Sequence, residues 1–314
     1  MLNKSEGSYP LDIRYHNIYI LGMKQTVQDF FKRFPDDESC LSHLFEVRYG
    51  QGHTCSKCEK SAKWYRIKAE RAYSCQWCGH HLHPTVGTPF AKSRTSLQLW
   101  FFAIFLFTKS RNGVSGKELQ RQLGVTYKTA WRMGHEIRKH MASVDGDDPL
   151  GGNGEIVQID ETFIGGYEKG ARGGSGKTIV MGMLENDGDV MAQVIPDRGE
   201  FTMFPVIAEN VKAGTEIHTD EHRSYQNLSD EPNYTHKTVN HSIKEYVGNE
   251  GQTTNSIEGF FFHLKRTIKG THIWVSEKHM NKYIGEAEFM YNRRKCPSSM
   301  LPELLCVFPE TSTP

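Results

Sequence analysis

An α/β domain built on a mixed sheet is predicted for the second half of the chain, and three observations carry that expectation. The run Ile156–Ile164 is rich in apolar and β-branched residues. Two further runs, 178–184 and Val190–Ile195, flank Asn186-Asp187-Gly188, a turn signal for an antiparallel hairpin. Segments with helical spacing of apolar residues, at about 201–211, 254–268 and 276–292, then alternate with short strands at 215–219 and 237–240. The order β-β-β-α-β-(α)-β-α fits a mixed sheet with helices packed on it.

The 314 residues, 37% of them hydrophobic, suffice for more than one core. Residues 1–50 are expected to form a helical segment, with Pro35 separating two stretches of helical spacing. Residues 51–90 are expected to be turns and short strands around cysteines, and 91–145 to be helical. The Asp- and Gly-rich stretch from Asp145 to Gly154 marks the main boundary. The α/β domain then spans 153–300, and 301–314 is a tail. The longest apolar run, from Leu97 to Phe107, is too short to span a bilayer, and Met1-Leu-Asn-Lys-Ser-Glu has no apolar signal region behind it. A cytoplasmic, nucleoid-associated location with no membrane partner is the expectation.

Net charge is +1, so the balance alone says nothing about nucleic acid; its distribution says more. Residues 51–94, 108–140 and 259–295 each carry eight Lys or Arg, against two, two and three Glu. Basic blocks of this kind are the electrostatic footprint of phosphate binding.

Seven cysteines in a chain without a secretion signal argue for metal binding over a disulfide framework. Cys55-Ser-Lys-Cys58, sixteen residues (59–74), then Cys75-Gln-Trp-Cys78 has structural-zinc spacing, because each Cys-x-x-Cys places two thiolates on one knuckle. Trp64, Tyr65, Ile67 and Tyr73 between the knuckles suit a short β-ribbon. His80, His81 and His83 follow the second knuckle, but four cysteines already complete a tetrahedral shell, so the histidines are read as surface groups.

Ser115 and Glu118 have capping-box spacing, and Gly124 separates the helix they open from a second one. This is a helix-turn-helix pattern. Leu119, Leu123, Val125, Ala130, Trp131 and Ile137 are expected to pack inside, leaving Thr126, Tyr127, Lys128, Thr129 and Arg132 to face double-stranded DNA.

Asp160 and Asp220 each end an apolar run, and Glu258 opens the basic helical segment that contains Lys265, Arg266 and Lys269. Two acids at strand ends and one on a helix can converge on a pair of hard divalent cations, Mg²⁺ or Mn²⁺, which suit in-line displacement at phosphorus. Lys265 lies seven positions after Glu258, two turns along the same helix face, where it can grip a phosphate. Glu161 alternates to the opposite face of a regular strand. His218 and His241 are expected to pack near the sheet. The Gly-rich stretch 165–176 and its neighbour, with Lys169, Arg172 and Lys177, is read as a DNA-contacting loop. It is not read as a nucleotide P-loop, which would need Gly where Ala171 stands.

Over about residues 40–300 the chain resembles the zinc-ribbon DDE transposases of bacterial insertion sequences, the group related to eukaryotic Merlin elements. The likeness rests on the paired Cys-x-x-Cys knuckles, Val157-Gln-Ile-Asp160-Glu-Thr-Phe-Ile-Gly-Gly and Ile217-His-Thr-Asp220-Glu-His-Arg-Ser-Tyr. It continues through His241-Ser-Ile-Lys-Glu-Tyr-Val, Thr254-Asn255-Ser-Ile-Glu258-Gly-Phe-Phe-Phe-His-Leu-Lys265-Arg and Tyr291-Asn-Arg-Arg. The resemblance implies a ribonuclease-H-like catalytic domain. It also implies cleavage at terminal inverted repeats, transfer of 3′ ends into target DNA, and a homo-oligomer that holds two ends at once. Thirty-seven residues (221–257) separate Asp220 from Glu258, close to the usual interval in such enzymes. Some relatives carry Asn as the third active residue, which maps near Asn255, so both positions stay candidates. The competing expectation is a catalytically silent DNA-binding regulator built on the same parts.

Overall fold

A computed structural model describes residues 25–166, 176–239, 248 and 251–308. Lys169, Ala171, Arg172 and the stretch beginning at His241 lie outside the described residues. The helices are α1 (Val27–Arg33), α2 (Asp37–Arg48), α3 (Leu97–Lys109), α4 (Gly116–Leu123), α5 (Tyr127–Asp145), α6 (Glu200–Asn210), α7 (Asn255–Thr267), α8 (Glu277–Asn292) and α9 (Met300–Cys306). The strands are β1 (Trp64–Ile67), β2 (Ala72–Cys75), β3 (His81–Leu82), β4 (Ile156–Ile164), β5 (Thr178–Glu185), β6 (Val190–Ile195), β7 (Glu216–Asp220) and β8 (Thr235–Val239). None of the described helices is long and apolar enough to cross a membrane. The described residues fall into two units, one running to Thr108 and resuming at Cys296, the other spanning Lys109–Lys295.

In the first unit, α1 and α2 each open on a reciprocal cap. Thr26 accepts from the Asp29 N–H and Asp36 from the Ser39 N–H, with the partner side chains reaching back to the cap backbone. Leu41, Leu44 and Phe45 of α2 are buried, as their spacing predicts, and Trp100, Phe101 and Ile104 of α3 are fully buried. Rings at Phe30, Phe34, Phe101 and Phe105 meet at centroid distances of 5.0–5.3 Å. The stretch expected as a tail carries α9. Its Leu301, Leu304 and Leu305, spaced i, i+3, i+4, are buried, and the Leu305 carbonyl meets the His43 ring at 3.1 Å. Strands β1, β2 and β3 form an antiparallel ribbon.

The second unit is a mixed five-stranded sheet in the order β6-β5-β4-β7-β8, with helices on it. The first three strands form an antiparallel meander, and β7 and β8 run parallel to β4. Alternation along the strands makes two cores. On one face Val157, Ile159, Met181, Met183 and Ile217 pack against Met203 and Ile207 of α6 and against Tyr225 and Leu228 of a 3₁₀ helix, Arg223–Asp230. On the other, Ile164, Val180, Leu184 and Val190 pack against Ile257, Phe260, Phe261 and Leu264 of α7 and Met280 and Ile284 of α8.

Helices α4 and α5 belong to this second unit. Ser115 caps α4 by accepting from the Glu118 N–H at 3.1 Å, while the Glu118 carboxylate turns to Arg121 and Gln122. Gly124 takes the left-handed conformation, φ 65°, that turns the chain into α5. Helix α5 packs on α8 through an ion pair almost without exposure. Arg138 Nε donates to Glu286 Oε2 at 2.6 Å, Arg138 Nη2 donates to the Val114 carbonyl at 2.8 Å, and the guanidinium lies 4.2 Å from the Tyr283 ring centroid. Glu286→Ala strands that guanidinium, so the unfolding free energy of this unit is expected to fall by about 3–5 kcal/mol. Urea titration checks it, and an unchanged midpoint would remove the ion pair from the account.

Candidate active site and metal centre

The ribbon brings the two cysteine knuckles together because β1 and β2 pair in register from Trp64↔Cys75 to Ile67↔Ala72. The four sulfurs lie within 4.8 Å of one another, with Cys55 Sγ 3.6 Å from Cys78 Sγ and Cys58 Sγ 3.8 Å from Cys75 Sγ. A tetrahedron of thiolates at the usual Zn–S length of about 2.3 Å has edges of about 3.8 Å. Cys55, Cys58, Cys75 and Cys78 therefore fit one structural zinc ion in number, donor type and spacing.

The acids are assembled by the sheet. Strands β4 and β7 pair in parallel at a constant offset of 60, through Ile156↔Glu216, Val157↔Ile217 and Gln158↔His218. Two residues beyond the last of these pairs, Asp160 and Asp220 reach the same level on neighbouring strands, which lie about 4.8 Å apart. Asp220 ends β7, whereas Asp160, expected at a strand end, stands in the middle of β4, which runs on to Ile164 in pairing with β5. Both are on the α7 face, since Asp160 pairs with Gly182 and Gly182 lies under α7. Both residues are half-buried, and their carboxylates are fastened locally. Asp160 accepts from the Glu161 N–H at 2.8 Å, and Asp220 accepts from the His222 N–H at 2.9 Å.

Helix α7 is docked by residues that share the face of these aspartates. Gln158 Oε1 accepts from the N–H groups of Ser256 (2.9 Å) and Ile257 (3.3 Å), capping the helix from the sheet. The buried His218 accepts at Nδ1 from the Thr253 N–H at 3.3 Å, while its Nε2 meets Glu216 Oε1 at 2.8 Å. Lys237 Nζ holds the other Glu216 oxygen at 3.1 Å. A methyl group at Gly182 would stand 2.8 Å from both Ile257 Cδ1 and Phe261 Cζ, so the absent side chain is what lets α7 lie this close. Gly182→Val is expected to cost about 1–3 kcal/mol by overpacking. Urea titration checks it, and an unchanged midpoint would show that the strand and helix have room for the side chain.

Glu258 is exposed in the first turn of α7, and Asn255 and Lys265 are exposed on its stripe. Arg266 is exposed beside them, and Lys269 is exposed in the π-helical turn Ile268–His272 that continues α7. The Asp160 carboxyl is pushed up to about 8, first by burial, then by the negative charges of Glu161, Asp220 and Glu258. Asp220 and Glu258 thus both act on Asp160. Among the described residues the three do not close to the 4.8 Å mutual spacing of the cysteine sulfurs. A like-charged, partly desolvated set of oxygen donors suits hard divalent cations.

Glu161 does alternate to the far face. Its carboxylate accepts from the Tyr225 hydroxyl at 2.8 Å and is ion-paired with Arg198. Tyr225 follows Asp220 by five residues, so this buried bond ties the backbone just after one aspartate to the backbone just after the other. Gln158 and Tyr225 stand inside the strings quoted for the family likeness, but sequence reading gave neither a role. Strand alternation from Asp160 could have found Gln158, but nothing local marks a bond across 64 positions.

On α5, Tyr127 and Lys128 are exposed, with the Tyr127 ring 4.8 Å from Lys117 Nζ. Thr129 and Arg132 are half-buried, and the Thr129 hydroxyl is 3.0 Å from that of the cap residue Thr126. Trp131, expected inside, is 40% exposed: its ring lies 3.9 Å from that of His135 and edge-on to His279 of α8 at 5.5 Å, which puts it on the α8-facing side but at the rim of that contact.

Comparison with known proteins places these parts among others. A family model described as an ISXO2-like transposase domain matches residues 149–292, and one described as a transposase zinc-ribbon domain matches residues 35–81. The chain is 23% identical over 274 residues to an uncharacterized protein in transposable element ISH50 of Halobacterium salinarum, covering 81% of this chain and 90% of that one. It is 30% identical over 118 residues to an uncharacterized transposase-like protein of Haemophilus influenzae, covering 37% of this chain and 93% of that one.

Proposed function

The chain belongs to the zinc-ribbon, ISXO2-like transposase family of insertion sequences, and from that premise we propose that it binds the terminal inverted repeats of its element and cleaves and transfers their ends. The observation that carries this reading is the register of β4 against β7, which sets Asp160 and Asp220 level on adjacent strands, on the face that the helix of Glu258 covers. A mixed sheet with that arrangement supports reading residues 153–300 as a ribonuclease-H-like catalytic domain.

Asp160, Asp220 and Glu258 would hold a pair of divalent cations in this proposal. When bound, Mg²⁺ or Mn²⁺ supplies Lewis acidity for attack by a water or a 3′-hydroxyl and for departure of the opposite oxygen. The protein's own work is positional. Gln158 and His218 hold the start of α7 to the sheet, and Tyr225 and Arg198 immobilise Glu161 behind Asp160. Lys265 and Asn255 orient the scissile phosphate, and Arg266 and Lys269 take neighbouring phosphates. Helices α4 and α5 act as a helix-turn-helix, with Tyr127, Lys128, Thr129 and Arg132 toward DNA, and the zinc ribbon adds a second grip. Two ends must be joined together, so the working form is a homo-oligomer.

The test is Mn²⁺-dependent nicking of duplexes that carry the element's ends. The expected result is cleavage at the end of the repeat that Asp220→Ala abolishes while end binding persists. Purified, zinc-loaded protein that binds ends and never nicks them would instead mark a DNA-binding regulator. Preferential cutting of RNA–DNA hybrids would mark a ribonuclease.

A further inference from the structure

A second group of metal-type donors lies on the ribbon, apart from the four cysteines. Side-chain ligand atoms of Glu70, His81 and His83 all lie within 4.8 Å of one another. The fold explains the grouping. His81 and His83 are two apart on an extended stretch, which puts both on one side. Pairing of Ser74 with His81 lays that stretch along β2, whose other end is the turn that carries Glu70. All three side chains are exposed.

His81 Nδ1 and Glu70 Oε2 are 3.8 Å apart, too far for a hydrogen bond. The spacing suits two donors on one cation instead. With bonds of about 2.1 Å, neighbouring ligand atoms in a tetrahedral shell sit about 3.4 Å apart, and small side-chain rotations close the difference. The cysteine sulfurs complete a shell among themselves, so these histidines are not spare ligands for that ion.

We propose that Glu70, His81 and His83 form a second, solvent-open site for a divalent transition metal, with zinc as its expected occupant. Two imidazoles and one carboxylate suit Zn²⁺, Ni²⁺ or Cu²⁺ far better than Mg²⁺. Three protein donors leave at least one position for water or another oxygen ligand, which separates this site from the closed Cys₄ centre. One carboxylate against a doubly charged ion leaves the ribbon surface more positive when loaded. The site does not depend on the catalytic reading, because all of its donors belong to the ribbon.

The experiment uses the full chain with its cysteine centre filled by one equivalent of Zn²⁺. The ultraviolet thiolate-to-zinc absorption, read as a difference spectrum against metal-free protein, reports on that centre throughout. Further Zn²⁺ is then titrated calorimetrically, with Asp160→Asn present throughout so that the proposed carboxylate centre does not contribute, into chains carrying the wild-type ribbon, His81→Ala, His83→Ala and, as a control, His80→Ala. The expected result is one additional equivalent bound by the wild-type ribbon and by His80→Ala. Either His81→Ala or His83→Ala should weaken that event at least about tenfold, with the thiolate band unchanged. Because these side chains are exposed, an intact band also certifies a folded ribbon. No additional equivalent with the wild-type ribbon, or additional binding that survives both substitutions, would overturn the proposal.

Discussion

Replacing Asp160 with Asn is expected to reduce end nicking by about 10³-fold or more, the scale on which a group that stabilises developing charge is usually felt, with end binding almost unchanged. Asn keeps the shape and removes the charge. In the wild type the carboxyl is pushed up to about 8 by burial and by Glu161, Asp220 and Glu258, so at neutral pH the folded protein without a cation must keep a proton there, a cost that the unfolded chain does not bear. Asn removes that cost. The cation-free variant should therefore be at least as stable as the wild type, and the gain in thermal midpoint that Mn²⁺ gives the wild type should disappear. A variant that nicks at the wild-type rate, or that retains the full Mn²⁺ shift, would take Asp160 out of the centre.

Cys75→Ser is the second large effect. Structural zinc in small modules contributes about 10–16 kcal/mol of apparent binding free energy, and the module has little else to fold on. The ribbon strands contain four, four and two residues, and the buried apolar set among them is essentially Trp64, Ala72 and Tyr73. The variant should lose about one equivalent of zinc per chain, and proteolysis should concentrate within 51–90. The transition of the 109–295 unit should stay in place, since its two cores contain no ribbon residue. Retained zinc, or loss of both units together, would count against a separate metal-dependent ribbon.

Much of this architecture was legible because its signals are local. Strands β4, β5 and β6 end within a residue of where the apolar runs and the Asn-Asp-Gly turn put them. Alternation along β4 sends Glu161 away from Asp160, as expected of a regular strand. Cysteine spacing alone identified the four sulfurs that meet. What escaped depends on the third dimension. Gln158 reads as an ordinary strand residue until α7 arrives above it. Gly182 reads as a weak point in a strand until Phe261 fills the space. Trp131 reads as core because it is large and apolar, whereas it stands at the rim of the contact with α8, where His135 and His279 leave 40% of it exposed. Helix α9 was passed over because seven residues with one proline resemble an ending more than an element.

The helix pair α4–α5 is bolted to the same body as the five-stranded sheet, through Arg138, Glu286 and α8. Under the proposed function, a reader and a cutter joined this way act as a caliper. The number of base pairs between the recognised sequence and the severed bond would be set by the stiffness of one folded unit, with no linker to blur it. Duplexes with base pairs inserted between the two would lose cleavage far sooner than they lose binding.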